Sequence, residues 1–218
     1  MPELVWHELD DRFFERGVSH GVLYVPTAGV YSAGFAWNGL TSVSVAPTGA
    51  EPSKQYADNI NYVTLMSAEE FTATIECFAF PTEFVKFNGF AKTASGMLIG
   101  QQSRGTFGFS WRSEKGNAVD EDLGYVLNLA YGLRASPSEQ ADNTVNDSPE
   151  LKSFSFSVNG TPVNVAGFKP TSHIKIDSTD PDVTASGLQA LEDALYGSGV
   201  TPARLPLPDE VNTLLATV

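Results

Sequence analysis

The chain has 218 residues, 42% of them hydrophobic, and is long enough to bury one sizeable core. Its formal net charge is −13, with 26 acidic against 13 basic residues, and the basic residues form no cluster. Because tight binding of nucleic acid needs clustered lysine and arginine, this composition argues against DNA or RNA as a firmly held ligand.

The amino-terminal residues 1–17 carry scattered apolar side chains among acids, and we interpret them as an arm or a short irregular helix. They lack the basic start and apolar core of a signal peptide, and no run reaches the roughly 18 apolar residues of a membrane span. Synthesis in a cytoplasm, without a membrane, is the expectation. The single cysteine, Cys77, lies in an apolar run and is predicted to be a buried thiol.

The first strands are predicted from β-branched and aromatic residues between turn signals. Val18–Val25 ends at Pro26, which marks the close of a strand. Residues 30–37 and 40–46 flank Asn38-Gly39, a dipeptide that accepts positive φ at both central positions of a type I′ turn. We therefore predict a β-hairpin at this dipeptide.

A long polar stretch, Ala50–Asn59, comes next and separates the hairpin from another extended run that begins at Asn61. A two-residue turn could have joined these strands, so a connection of this length is typical of a segment that is disordered or that contacts a partner. We predict a long inter-strand loop over residues 47–60. Further on, Phe71–Phe80 alternates apolar and polar residues, as a half-buried strand does.

The second half of the chain continues the β pattern. A second hairpin is expected at Asn159-Gly160, with residues 154–158 paired to 161–165 and with Pro162 indicating an edge strand. The remaining predictions are one or two helical turns at 81–90, strands at 105–112, 125–131 and 172–176, and an exposed polar connection at 136–148.

The carboxy-terminal part changes to helical spacing. Ser186 and Gln189 have the spacing of a capping box, leucines follow on one helical face, and Gly197 marks a stop, so a helix is predicted over 186–196. Residues 205–211 are extended and punctuated by proline, and lead into a few helical residues.

Catalytic and metal-binding patterns are weak in this sequence. Nucleophilic catalysis needs a base beside a serine or cysteine, and His7, His20 and His173 accompany no Gly-x-Ser-x-Gly elbow. Three dispersed histidines and one cysteine also lack the ligand spacing of a zinc site. We expect no enzyme activity and no cofactor, with a hydrolase that uses scattered carboxylates as a remaining alternative.

Two acidic clusters and one aromatic strand have two interpretations each. Asp177, Asp180 and Asp182 could offer oxygens to calcium, but Pro181 favours a turn whose aspartates bond their own backbone. The cluster of residues 120–122 is interpreted as a charged turn. The alternating aromatic residues of the strand at 105–112 are either one face of a core or a stacking platform for sugars or bases; they are Phe107, Phe109 and Trp111.

Several short segments of the sequence, spread over residues 18–180, resemble the major tail proteins of long-tailed bacteriophages of the siphovirus type. These segments are Trp37-Asn38-Gly39-Leu40, Ala50-Glu51-Pro52, Tyr56-Ala57-Asp58-Asn59 with Tyr62, Phe80-Pro81, the run from Gly100 to Ser110, the run from Tyr131 to Glu139, and the run from Asn146 to Glu150.

This resemblance implies a mainly β fold, a β-sandwich or barrel-like tail-tube subunit with one or two short flanking α-helices. It implies a single domain over 1–218, with an arm at 1–17, an assembly loop at 47–60 and a carboxy-terminal helix and tail at 184–218. Such subunits form rings, usually six-fold, that stack into the tail tube, the conduit for viral DNA during ejection. Their sheet edges serve as assembly surfaces.

The implied partners are other copies of the chain, the tape measure protein, and tail terminator or baseplate proteins, in a virion tail assembled in the host cytoplasm. Viral DNA would pass through an acidic lumen without specific binding. The alternative function is a monomeric β-sandwich carbohydrate-binding module that uses Phe107, Trp111 or Trp37 as a platform. Under the tail-tube hypothesis, the residues expected at the assembly interface are Glu51, Pro52, Lys54, Gln55, Tyr56, Asp58, Asn59, Leu205, Leu207, Val211 and Leu214.

Overall fold

The computed structural model describes residues 6–144, 151–199 and 201–217. It is mainly β, with one large antiparallel sheet and two short helices, and this confirms the predicted fold class.

The elements follow one another along the chain in this order. The strands are β1 (Phe14–Thr27), β2 (Val30–Trp37), β3 (Leu40–Val45), β4 (Thr48–Gly49), β5 (Pro52–Ala57), β6 (Ile60–Met66), β7 (Glu69–Glu70), β8 (Thr72–Cys77), β9 (Ala91–Lys92), β10 (Leu98–Ile99), β11 (Phe107–Gly116), β12 (Gly124–Ala135), β13 (Phe154–Gly160) and β14 (His173–Asp177). The helices are a 3₁₀ helix (Thr82–Lys86), α1 (Ala185–Tyr196) and α2 (Pro208–Leu215).

The main sheet has eight strands, seven of them in the order β2-β1-β11-β12-β13-β8-β3, and β14 pairs with β12. Strand β12 connects two halves of the sheet. One half holds β2, β1, β11 and β14, and the other holds β13, β8 and β3. The first part of β12 pairs with β14, and its last residues pair with β13. Between these parts a β-bulge at Tyr131-Gly132 places one extra residue opposite β11. Gly132 has φ +59, and a Cβ there would lie 2.4 Å from the Thr161 carbonyl oxygen, so the bulge requires glycine.

The bulge changes which face of β12 each residue occupies. Ala130 and Leu133, three positions apart, both belong to the inner core, whereas Tyr131 between them belongs to the outer core. Residues 126–133 are buried throughout because both faces of this strand are covered.

The inner core is a cluster of aromatic side chains between the two halves of the sheet. Phe84 of the 3₁₀ helix is fully buried, with ring centroids 4.6 Å from Trp37, 4.8 Å from Phe156 and 5.4 Å from Phe107. Trp37 in turn packs edge-on against Phe109 at 5.3 Å. These separations lie in the favourable range for tilted and edge-to-face aromatic pairs. The 3₁₀ helix therefore joins strands β2, β11 and β13 through a single ring.

The outer core lies between the opposite face of the sheet and the two helices. Leu191 and Leu195 of α1 pack with Leu127 and Leu129 of β12, and all four are fully buried. The buried Tyr24 hydroxyl donates to the Leu195 carbonyl at 2.9 Å. These contacts, together with burial of Val211 of α2 in the same cluster, hold both helices against the sheet.

A partly buried ion pair adds a polar connection between the sheet and α1. Arg112 of β11 pairs with Glu192, and its Nε donates to the Tyr196 hydroxyl at 3.0 Å. The Tyr125 hydroxyl also donates to Glu192, and the Arg112 guanidinium lies 4.2 Å from the Tyr125 ring centroid. Because this ion pair is partly buried, removal of either charged side chain would leave the other without an opposite charge.

The hairpin predicted at Asn38-Gly39 is wrong. Strand β2 pairs with β1, and β3 pairs with β8, so the dipeptide joins strands at opposite ends of the sheet order. The Trp37 indole donates to the Ala79 carbonyl at 3.0 Å, and the Phe78 amide donates to the Gly39 carbonyl at 2.8 Å. Burial of Trp37 in the inner core thus overrides the local turn preference.

The hairpin predicted at Asn159-Gly160 is also wrong. Both residues lie inside β13, and the Gly160 amide donates to the Phe71 carbonyl at 2.9 Å. Pairing with β8 and β12 on either side gives β13 more ladder bonds than one hairpin partner could. Residues 161–165 include no named strand, and Val163 forms an isolated bridge to Thr171, so the edge strand inferred from Pro162 is wrong as well.

The helix predictions need smaller corrections. Helix α1 begins at Ala185, one residue before the predicted start. Its N-cap is Thr184, whose hydroxyl accepts a hydrogen bond from the Gly187 amide at 3.1 Å. The capping box predicted at Ser186 is therefore wrong. Gly197, with φ +82, ends the helix as predicted. Residues 14–17 of the predicted arm belong to β1, and residues 6–13 form neither helix nor strand.

Other predictions hold within one to four residues. The strand and helical-turn predictions at 18–25, 81–90, 105–112, 125–131 and 172–176 correspond to named elements. Residues 136–144 are irregular as expected, whereas residues 145–148 of that connection lie outside the described residues.

The central position of Phe84 gives a test of the fold. Replacement of Phe84 by alanine should lower the free energy of unfolding by about 3–5 kcal/mol, because it removes a fully buried ring and leaves a cavity. Urea denaturation followed by tryptophan fluorescence measures the change. The same replacement at Phe168, which is 81% exposed, should shift stability by no more than about 0.5 kcal/mol, and equal effects at both sites would contradict the assignment of the core.

Candidate functional site

The polar stretch expected to be a loop is one half of an isolated β-hairpin. Strands β5 and β6 pair antiparallel from Pro52↔Met66 to Ala57↔Ile60, so the loop predicted over 47–60 is wrong. Asp58 and Asn59 form its turn with φ +50 and +62, as a type I′ turn requires. Both residue types tolerate this left-handed conformation.

The hairpin β5–β6 is the outer end of a longer arm. The pair β4–β7 lies between it and the β3–β8 pair of the main sheet. Gly49 and Ala50 both have positive φ and interrupt the ladder between β4 and β5. With seven residues, β6 alone is about 23 Å long at 3.3 Å per residue.

Both faces of this hairpin are exposed. Every residue of β5 and β6 is exposed, including Tyr62 at 74%, Tyr56 at 69% and Met66 at 65%. A two-stranded hairpin without a third strand or a covering helix is marginally stable in water. So much exposed apolar surface in one place is typical of a surface that another protein covers.

The pairing register divides the side chains between the two faces. One face has the apolar side chains Ala57, Ile60, Val63 and Leu65, which follow from the pairs Gln55↔Val63 and Ala57↔Ile60. The opposite face combines Tyr56, Tyr62 and Met66 with polar residues. Neither face is purely polar, so the hairpin lacks the solvent face that is usual for an antiparallel pair.

The structure brings together the predicted interface residues of the first group. Glu51 precedes β5, the turn provides Asp58 and Asn59, and the remaining four are in β5, all of them exposed: Pro52, Lys54, Gln55 and Tyr56. The apolar residues of β6 were not predicted as interface residues, although alternating residues that follow two turn-forming residues, Asp58 and Asn59, are consistent with a hairpin.

The predicted carboxy-terminal interface residues fare differently. Leu205 and Val211 are buried at 2% and 3% exposure within the outer core, so their side chains are not available to another subunit and that part of the prediction is wrong. Leu214 is half-buried against the same core, and Leu207 is exposed. Apolar side chains are as well suited to the core of their own chain as to an interface.

The aromatic residues offered as a carbohydrate platform are also buried. Phe107, Trp111 and Trp37 are at most 5% exposed and belong to the inner core. They present no ring face to a sugar, so the platform proposed for a carbohydrate-binding module is wrong.

The candidate catalytic histidines lie apart. His7 and His20 are exposed. Among the described hydrogen bonds, the His20 ring has one, between its Nδ1 and the hydroxyl oxygen of Ser19 at 3.0 Å. His173 stacks on Trp111 with centroids 5.6 Å apart, and its Nε2 lies 3.1 Å from the Asn128 side-chain oxygen. Burial, and to a lesser degree the charge of Lys175, lowers the pKa of His173 to about 4.

The acidic clusters take part in turns and ion pairs. Asp177 pairs with Lys115, and Asp180 accepts from the Asp182 amide at 2.9 Å, which confirms the turn interpretation. Arg16 donates to Glu121 at 3.0 Å and to Asp122 at 3.3 Å. In residues 6–144, 151–199 and 201–217, no group of three or more histidine, cysteine or acidic side chains is arranged to hold a metal ion.

No protein-family model and no curated protein matches this chain. Among solved structures, the cryo-EM structure of the anti-feeding prophage baseplate, 6-fold symmetrised, contains a similar chain. The alignment covers 81% of this chain and 97% of that one, with a TM-score of 0.37 and 10% identity. Among the described residues we also find no helix whose length and hydropathy would let it span a bilayer.

The lowered pKa of His173 predicts a pH-dependent stability. Between pH 6.5 and about 4 the unfolded chain binds a proton at this position and the folded chain does not, so stability falls as pH falls through this window, by up to about 3 kcal/mol. Replacement of His173 by glutamine should flatten the dependence, as measured by urea denaturation at several pH values. The same replacement at the exposed His20 controls for loss of an imidazole as such. A slope unchanged by His173→Gln would contradict the burial argument.

Proposed function

We propose that this chain is a structural virion protein, the tail tube subunit of a long-tailed bacteriophage, and that it self-assembles into stacked rings. The observation that carries the proposal is the isolated hairpin β5–β6, whose two faces both expose apolar side chains. Such a hairpin lacks the burial that would make it stable alone, and assembly supplies that burial. The sequence segments that resemble major tail proteins independently suggest the same assembly.

The main sheet offers a second surface for assembly. Strand β3 pairs only with β8 among the described strands, so its other edge has no ladder partner. The edge of β2 is different, because the Gly34 amide donates to the Ala203 carbonyl and Tyr31 bridges Leu205. An open edge on one side of a subunit suits lateral growth into a ring.

The charge of the chain is compatible with a conduit for DNA. At a net charge of −13, a ring of several copies repels phosphate, so DNA passes without the counterion release that would hold it. In this proposal the rings are six-fold, one tail-tube domain spans residues 1–218, and the protein resides in the virion tail after assembly in the bacterial cytoplasm. Its partners are further copies, the tape measure protein, and terminator or baseplate proteins.

Removal of the hairpin tests this function. We replace residues 51–67 by Asn-Gly, which closes the β4–β7 pair with a two-residue turn, since Ala50 already donates to the Ala68 carbonyl. The variant should unfold as cooperatively as the parent, because the main core is untouched. It should remain monomeric, because the surface proposed for assembly is gone. Negative-stain electron microscopy and sedimentation velocity over a concentration series measure assembly.

The matched control is Phe168→Ala, which also removes an exposed apolar side chain, outside the hairpin, and should assemble like the parent. Tubes of normal length from the hairpin replacement would overturn the proposed role of β5–β6.

A further inference from the structure

A groove of about 540 Å³ lies beside the 3₁₀ helix, on the outside of the molecule. Its apolar lining includes Val85 of the 3₁₀ helix, Phe90, Ala91 of β9 and Leu98 of β10. Leu98 is 50% exposed and Phe90 is half-buried, so the groove presents apolar surface to solvent.

The charge of the groove differs from that of the whole chain. Lys86 and Lys92 are both exposed at its lining, and Glu83 is the single acid there among the described lining residues. In a chain with twice as many acids as bases, a lining with two lysines and one glutamate is a local excess of positive charge. An occupant with apolar side chains and a negative charge would complement it.

The turn of the hairpin β5–β6 has this combination. Asp58 lies at its tip, with Ala57 and Ile60 on either side of the turn and on one face, and the three side chains are exposed. The hairpin's one lysine, Lys54, is four residues from Asp58 along β5. The tip is therefore a negative charge between two apolar side chains.

The geometry of the chain separates the hairpin from its own groove. The arm that ends in β5–β6 precedes β8, whereas the 3₁₀ helix follows the other end of that strand. All residues of β5 and β6 are exposed, so the hairpin does not occupy the groove of its own chain. Two different surfaces of one molecule that complement each other form a head-to-tail contact, which repeats from copy to copy and builds a closed ring or an extended tube, depending on the rotation between copies.

We propose that the groove lined by Val85, Phe90 and Leu98 receives the tip of the hairpin β5–β6 of a second copy of this chain. Asp58 of one copy lies against Lys86 and Lys92 of the next, and Ala57 and Ile60, which share one face of the hairpin, cover the apolar lining. This inference rests on the proposed self-assembly and names the surface on which the hairpin docks.

Charge exchange tests the pairing. The groove variant Lys86→Glu with Lys92→Glu and the hairpin variant Asp58→Lys each place like charges together, so each should raise the critical concentration for tube formation by about tenfold or more. The triple variant restores opposite charges and should return the critical concentration to within about threefold of the parent, because the effects of contacting residues are not additive.

The control for net charge is Lys152→Glu with Lys169→Glu, which changes two exposed lysines outside the groove and should assemble like the parent. If the groove variant assembles like this control while removal of the hairpin abolishes tubes, the docking site is wrong and the proposed function stands. If removal of the hairpin leaves tubes intact, both are wrong.

Cross-linking provides a readout that does not depend on weakened assembly. With Asp58→Cys and Lys92→Cys in one chain, oxidation of assembled protein should give a ladder of covalent multimers on denaturing gels, as expected for a head-to-tail contact. Either single variant should give dimers at most, since the native Cys77 is buried. Assembled protein that yields no ladder beyond dimers would overturn the proposal.

Discussion

The packing of Phe84 against Trp37, Phe107 and Phe156 holds the two halves of the sheet together. A single strand, β12, runs continuously from one half to the other, and its bulge changes which face its residues occupy. Smaller side chains at these positions would leave a cavity in the inner core. The short 3₁₀ helix between the two halves is therefore a part of the core.

This core also explains why the arm can extend so far. Strand β8 contributes Ile75 and Cys77 to the buried cluster, and Val43 and Val45 of β3 pack against it, so the base of the arm is fixed on the main sheet. The hairpin β5–β6, in contrast, has only its own ladder and turn to stabilise it. A rigid base with a weakly stabilised end lets the end adapt to a partner, whose surface then supplies the missing burial. The 3₁₀ helix contributes to both the core and the proposed docking groove, because Phe84 packs in the core and Val85 lines the groove.

The candidate site was only partly predictable from the sequence. Residues 50–59 stood out because they are polar and lie between strands, and the structure does place them in the exposed arm. Their hairpin partner, β6, was assigned as a strand but not as part of the site, because alternating apolar residues usually face a core. Leu205 and Val211 show the opposite error, since burial in the same chain and burial in an interface require the same residue types.

By itself the sequence determined the local features: the fold class, most strand positions, the apolar face of α1 and its end at Gly197. These depend on side-chain periodicity and on backbone preferences of single residues, which are local properties. Only the tertiary structure decided which strands pair. At Asn38-Gly39 and Asn159-Gly160 the turn preference lost to the burial of Trp37 and to the two-sided pairing of β13, which involve residues far apart in the chain. At Asp58-Asn59, where no core competes, the local turn preference prevailed and formed the hairpin.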